Sequence, residues 1–143
     1  FRYIIQNGQS TLMTLDEELK FLEAYSYLFK IRYADKLFFD VDVDGKYLGW
    51  KLPAFSLQPL IDNAVKHNSI TRSKPFHISV RTEGDRLVVS NPKVPKLEPE
   101  PSTGIGLENL RNRWHLITGS DIEIDDDGET FTVRMPLQNP TAG

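Results

Sequence analysis

The sequence contains no cysteine, so neither a disulfide framework nor a thiolate metal site can hold the chain together, and its stability has to come from an apolar core. It has no apolar run near the ~20 residues that cross a bilayer, and no basic leader followed by an apolar stretch of the secretory kind. Nor is there an excess of charge of one sign: 17 Lys and Arg stand against 20 Asp and Glu, a net charge of -3. A general electrostatic footprint for nucleic acid is excluded, and no nucleic-acid partner is expected. What is present is one domain's length of chain, 143 residues, enough to bury roughly two-thirds of the unfolded surface without a metal or a crosslink. The opening Phe1-Arg2-Tyr3 has no initiator Met and reads as part of something longer.

Residues 1–13 are broken by Asn7-Gly8 and turn polar afterwards, the composition of a linker. Thr14-Leu15-Asp16-Glu17 matches a capping box. Leu15, Leu19, Leu22, Tyr25, Leu28 and Phe29 then recur at helical spacing, predicting a long amphipathic helix to about Tyr33. Leu37 to Val43 alternates as a half-buried strand closed by Asp44-Gly45, and Trp50 to Pro53 reads as a connector. Ala54 to about Lys66 has helical spacing again, with Pro59 near its first turn. Phe76–Arg81 and Arg86–Asn91 form a hairpin through Glu83-Gly84-Asp85. The stretch from Pro92 to Ser102, rich in Pro, Lys and Glu, has little core-forming capacity and is predicted to be a mobile loop. A helix follows from Ile105 to about Leu116, stopped by Gly119. Ile122–Ile124 and Thr130–Met135 are the last strands; Asp125-Asp126-Asp127-Gly128 between them is a hairpin turn, since the twelve-residue pattern of a Ca2+ loop is missing. This order predicts an α+β fold, a two-layer sandwich of a mixed sheet and helices.

Two segments carry chemistry. In LQPLIDNAVKHN, Asn63, Lys66 and His67 leave one side of the helix while Leu60, Ile61 and Val65 face the core. An amide oxygen suits Mg2+ and an ammonium suits phosphate oxygens, a pairing fit for a metal-bound polyphosphate. A merely solvated polar face explains this segment equally well. The second is Thr103-Gly104-Ile105-Gly106-Leu107, where glycines at a helix start let backbone N–H groups approach an anion. By itself, G-x-G is more often loop punctuation.

In this order and separation the two segments are more specific. A helix bearing an Asn box, a strand pair, a loop and a Gly-x-Gly helix together resemble the ATP-binding domain of the GHKL superfamily, the Bergerat fold shared by gyrases and histidine kinases. Within it, TLDEELKFLEAYSYLFKIRYADKL, LPAFSLQPLIDNAVKHN and GIGLENLRNRW resemble the LytS-type sensor histidine kinases. The resemblance covers residues 14–137, leaving 1–13 as linker and the end of a dimerisation helix, and 138–143 as a tail. It implies ATP and Mg2+ as ligands, Asn63 on the metal, and Lys66 and His67 on the phosphate side. Asn91 falls where an Asp usually accepts from the adenine amine, Thr103 to Leu107 match the second glycine box, and residues 92–102 would be the ATP lid.

Three departures from the pattern stand out. The D-x-G-x-G box is replaced by Asn91-Pro92-Lys93-Val94-Pro95; Asn91 is a neutral acceptor, and charge-assisted bonds are roughly twice as strong, so weak adenine binding is expected. Pro59 stands four before Asn63, where gyrase-like ATPases carry the Glu that activates water, so efficient hydrolysis is not expected. Asn68 replaces the Gly that usually follows His67. No phosphoacceptor motif occurs, and His77 and His115 read as structural or exposed.

The resemblance further implies a parent kinase that phosphorylates a His on its own dimerisation domain, as a homodimer, and passes the phosphoryl group to a response regulator of the LytTR type. The parent would sit in a bacterial inner membrane through other segments, with this domain in the cytoplasm. The rival readings are a degenerate scaffold that keeps the fold without nucleotide chemistry, and a gyrase-like hydrolase.

Overall fold

The computed structural model describes residues 12–96 and 105–140. Its first helix starts where its own sequence directs. Thr14 Oγ1 accepts from the Glu17 N–H at 3.2 Å and the Glu17 carboxylate accepts from the Thr14 N–H at 3.0 Å, closing the capping box. Helix α1 runs Leu15–Tyr33. Its buried face carries Leu15, Leu22 and Ser26, with the ionisable Glu18 among them. Leu28, expected in the stripe, is 61% exposed, because it lies about 100° round the helix from Phe29, which faces the sheet.

Two short segments expected to be linker and connector are paired strands. β1, Leu12–Thr14, runs antiparallel to β3, Lys51–Pro53, with Met13 opposite Leu52. Three residues are too few to show an alternation, so neither strand has a periodic signal of its own. The main sheet contains β2 (Leu37–Asp42), β4 (Phe76–Glu83), β5 (Arg86–Pro92), β6 (Glu123–Asp126) and β7 (Thr130–Pro136), ordered β2-β4-β5-β7-β6. β2 lies parallel to β4 and every other pair is antiparallel, which makes the sheet mixed as expected.

Alternation along the strands turns Ile78 and Val80 of β4, Leu87 and Val89 of β5, and Val133 and Met135 of β7 into one core. Against them pack α1, α2 (Leu57–His67) and α3 (Ile105–Thr118), contributing Leu15, Leu22, Leu60, Ile61, Leu110 and Trp114. The alternate residues form a mostly polar outer face around the buried Val88, on which Arg81 bonds Ser90 at 2.9 Å and Glu83 at 2.9 Å. This is the α+β two-layer arrangement. Gly119 ends α3 at φ +74°, its N–H donating to the His115 carbonyl at 2.9 Å. Among the described residues no helix is long and apolar enough to cross a membrane.

Candidate functional site

The second helix begins at Leu57, three residues later than its spacing predicts. Phe55 has φ +61°, a conformation that costs a bulky residue about 1–3 kcal/mol and cannot continue a helix backwards. Ser56, at the N-cap position, gives α2 no side-chain cap. Its hydroxyl is otherwise engaged, donating to the Pro53 carbonyl at 2.6 Å and accepting from Trp114 Nε1 at 3.1 Å. The cap comes from α1 instead: Glu18 Oε2 accepts from the Phe55 N–H and Glu18 Oε1 from the Leu57 N–H, both at 3.1 Å. Pro59 is the third helical residue, so the N–H it lacks is one that has no intrahelical acceptor anyway.

Glu18 is wholly buried. Burial pushes its carboxyl above the usual range, opposed by the N–H groups of Leu57 and Phe55 and by the Arg113 charge on α3. Arg113 is half-buried and is lowered by that burial, with Glu18 pulling the other way. The helix start is therefore a junction of all three helices.

The far end of α2 is fixed as firmly. The buried Asn68 donates from Nδ2 to the Ala64 carbonyl at 2.8 Å and accepts at Oδ1 from the Val94 N–H at 2.7 Å. The Ser69 N–H reaches the Val94 carbonyl at 2.7 Å. Asn68, which replaces the Gly usual after His67, clasps the helix exit to the segment that follows β5.

Between α2, β5 and α3 lies a cavity of about 440 Å3, lined by Asn63, His67, Asn68, Asn91, Lys93, Pro95, Leu107, Asp126 and Phe131. Asn63 and His67 stand one turn apart on one wall. Asn91 is opposite Phe131 in the β5–β7 register; it is buried, and its Nδ2 donates to the Pro92 carbonyl at 2.8 Å. Lys93 Nζ bonds both Asp126 oxygens, at 2.8 and 3.0 Å. That ammonium, joined by the Gly128 N–H, holds the Asp126 carboxyl below its usual range. The lining thus combines the amide and imidazole groups of Asn63, Asn68, Asn91 and His67 with the apolar Leu107, Pro95 and Phe131, a mixture suited to a ligand with a polar and a flat apolar part.

The fold brings Asn63, His67, Asn91 and Leu107 together around this space. Lys66 is exposed and is not part of the lining. Ile105 opens α3, and Gly106 is exposed, with nothing within 4 Å of where a Cβ would sit. The fold itself does not require glycine at 106. Thr103 and Gly104 lie outside the described residues, as do 97–102 of the expected lid. The first residues of that loop are held: Pro92 ends β5, and the Lys93 N–H donates to the Glu129 carbonyl at 2.8 Å.

Asp126 and Phe131 line the site without having been expected there, while Lys93 and Pro95 reach it from the start of the expected lid. Lys93 and Asp126 are 33 residues apart, and no local spacing connects them. The turn after Asp126 forms as expected, with Gly128 at φ +91° and Asp127 accepting from the Thr130 N–H at 2.7 Å. Among the described residues no three His, Asp or Glu side chains converge on a possible metal position. A larger cavity, about 680 Å3, lies between α1 and β2 along Leu19, Leu22 and Phe39, but it contains none of the residues singled out by chemistry. His77 is exposed, stacked on Phe38 and 2.9 Å from Asp40; His115 is exposed, 3.3 Å from Asp121.

No family model matches the chain. It is 32% identical over 158 residues to the sensor protein LytS of Streptococcus agalactiae serotype V, covering 95% of this chain and 27% of that protein. It is 33% identical over 160 residues to LytS of Streptococcus mutans, covering 96% of this chain and 27% of that protein. The sensor histidine kinase/phosphatase LytS of Staphylococcus aureus is 28% identical over 159 residues, with 96% and 27% covered. The chain therefore spans about a quarter of the length of the curated relatives it matches. In fold it resembles the cytoplasmic segment of histidine kinase QseC, with TM-score 0.61 and 14% identity over 88% of this chain and 76% of that one. It also resembles the catalytic domain of histidine kinase ThkA, with TM-score 0.57 and 17% identity over 90% of this chain and 98% of that one.

Proposed function

We propose, from its likeness to LytS sensor kinases, that the chain is an ATP-binding domain of that type, binding Mg-ATP in the cavity between α2, β5 and α3 and presenting the γ-phosphoryl group to a His on a dimerisation domain elsewhere in the parent protein. The convergence of Asn63, His67, Asn91 and Leu107 on one cavity of about 440 Å3 carries this reading. Those residues come from three elements; Asn63, His67 and Leu107 were singled out by their segments and Asn91 by the family resemblance before the fold joined them.

In this assignment Asn91 accepts from the adenine amine while the ring lies against Leu107 and Phe131. His67 faces the phosphates. Lys66, exposed beside it, reaches them from the rim, and backbone N–H groups of residues 103–107 close on them. Asn63 fits a hard cation of the Mg2+ kind, which commonly takes one or two protein oxygens and completes its shell with phosphate and water oxygens. When bound, Mg2+ neutralises charge on the transferring phosphoryl group. What the chain's own residues do is position and exclude: α2 and β5 hold the two ends of the ligand, and Pro59 supplies no general base for attack by water.

The parent protein then belongs to a two-component system. It is a homodimer anchored in the bacterial inner membrane, with this domain in the cytoplasm, and it delivers the phosphoryl group to a response regulator of the LytTR type.

Thermal unfolding tests the site. At an ATP concentration of about 100 times Kd, binding to the native state adds ~2.7 kcal/mol of stability, a rise of several degrees in Tm. The rise is expected with Mg2+ present and is lost in Asn63→Asp. A rise of the same size in Asn63→Asp sinks the assignment of Asn63. No rise at millimolar ATP favours the scaffold reading, to which one observation lends weight: the Lys93 ammonium at the cavity mouth is engaged by Asp126. Steady phosphate release by the isolated chain would support the hydrolase instead.

A further inference from the structure

Helix α2 carries Asn63 and His67, yet its start is not organised by its own sequence. The side chain at its N-cap position is engaged elsewhere, Phe55 is turned into the left-handed region, and two of the N–H groups there end on Glu18 of another helix. We propose that Glu18 is a positioning residue for the functional site, acting through α2 as a cap supplied from outside that helix.

Three observations bear on it. Both carboxylate oxygens are used, each at 3.1 Å, so the helix start is fixed in direction as well as distance. The carboxylate is wholly buried, so water cannot replace it as an acceptor if it is removed. Ser56, between the two donors, is joined to Trp114 of α3 at 3.1 Å, which places the start of α2 relative to both other helices. With Asn68 clasping the far end, α2 is held as a rod of 11 residues. A change at Glu18 then moves Asn63 and His67 together instead of loosening one turn. The consequence for nucleotide affinity rests on the reading above; the positioning itself does not.

The test compares Glu18→Gln with Leu22→Ala, a core change on the same helix that lowers Tm without touching the amides of α2. Both are studied as the whole chain at a temperature where circular dichroism shows them folded. The Asn63 side-chain amide and His67 ring resonances are expected to move in Glu18→Gln and to stay in place in Leu22→Ala. ATP affinity is expected to fall about tenfold or more in Glu18→Gln and to hold in Leu22→Ala. Unmoved Asn63 and His67 resonances in Glu18→Gln overturn the proposal, whatever happens to Tm. Should the wild type fail to bind ATP, the nucleotide reading falls and the resonances alone judge the positioning. Should Glu18→Gln fail to fold, amide exchange in the wild type decides: Phe55 and Leu57 protected to the level of global unfolding support it, and fast exchange at both overturns it.

Discussion

The first two helices take their side-chain caps from opposite distances. α1 is capped by residues three apart, Thr14 and Glu17, on an exposed surface, while its Leu15 and Asp16 N–H groups end on the Trp50 and Leu48 carbonyls at 2.8 and 3.0 Å. α2 is capped by a buried carboxylate 37 and 39 residues away. The local cap is cheap to form and cheap to lose, since water can satisfy the N–H groups if the side chains go. The distant cap exists only once the core is assembled, and nothing replaces it. A helix that merely fills a layer can rely on the first kind. The helix that lines the candidate site with Asn63 and His67 is held by the second, which also fixes where it points.

The comparison breaks most visibly at the distant cap. Glu18→Ala leaves two buried N–H groups without acceptors and strips a charge from beside the half-buried Arg113, and an expected loss of about 3 kcal/mol follows. Urea unfolding measures it through the shift in midpoint at unchanged slope. A loss near that of an exposed cap would show that solvent reaches the junction and that the two caps are equivalent.

Thr14→Ala is the matching change at the local cap, with an expected loss of about 1 kcal/mol in the same assay. A loss as large as that of Glu18→Ala would mean that the ribbon of β1 and β3 depends on the capping box.

The smallest effect sharpens the contrast within one helix pair. Tyr25 of α1 also reaches α2, donating its hydroxyl to Asp62 at a half-exposed position. Burial first, then the Asp62 carboxylate, raises the phenol from 10.0 to about 12. For a group raised in this way the stabilisation is fully present below about pH 10 and is lost as pH rises through about 12. Tyr25→Phe is therefore expected to cost less than about 1 kcal/mol at neutral pH and to flatten the alkaline part of the stability curve. Equal slopes for wild type and variant above pH 10 would show that this contact adds nothing to the link between the helices.

The sequence made the elements legible wherever a signal repeats. The α1 stripe, the alternation of β4, β5 and β7, the stop at Gly119 and the turn at Gly128 are all local patterns, and each was found where it was expected, apart from Leu28 in the stripe. The signals failed where an element is short or its boundary is set from elsewhere. β1 and β3 are single short runs that exist because they pair with each other. The candidate site divides in the same way. Asn63 and His67 were visible as one face of a helix, and Leu107 was visible in the Gly-x-Gly segment. Lys93 fell within the expected lid, but its pairing with Asp126 had no pattern to betray it, since that depends on β6 lying beside β7 at the end of the sheet.

The sequence by itself determined the layer architecture and the shared face of Asn63, Lys66 and His67 on α2. Each of these follows from residue type and spacing, which the chain carries before it folds. Only the tertiary structure decided where α2 begins, which residues close the cavity, and that Lys66 stands outside it. Those depend on groups meeting from distant parts of the chain, and a buried N–H takes whichever acceptor the packed core delivers to it.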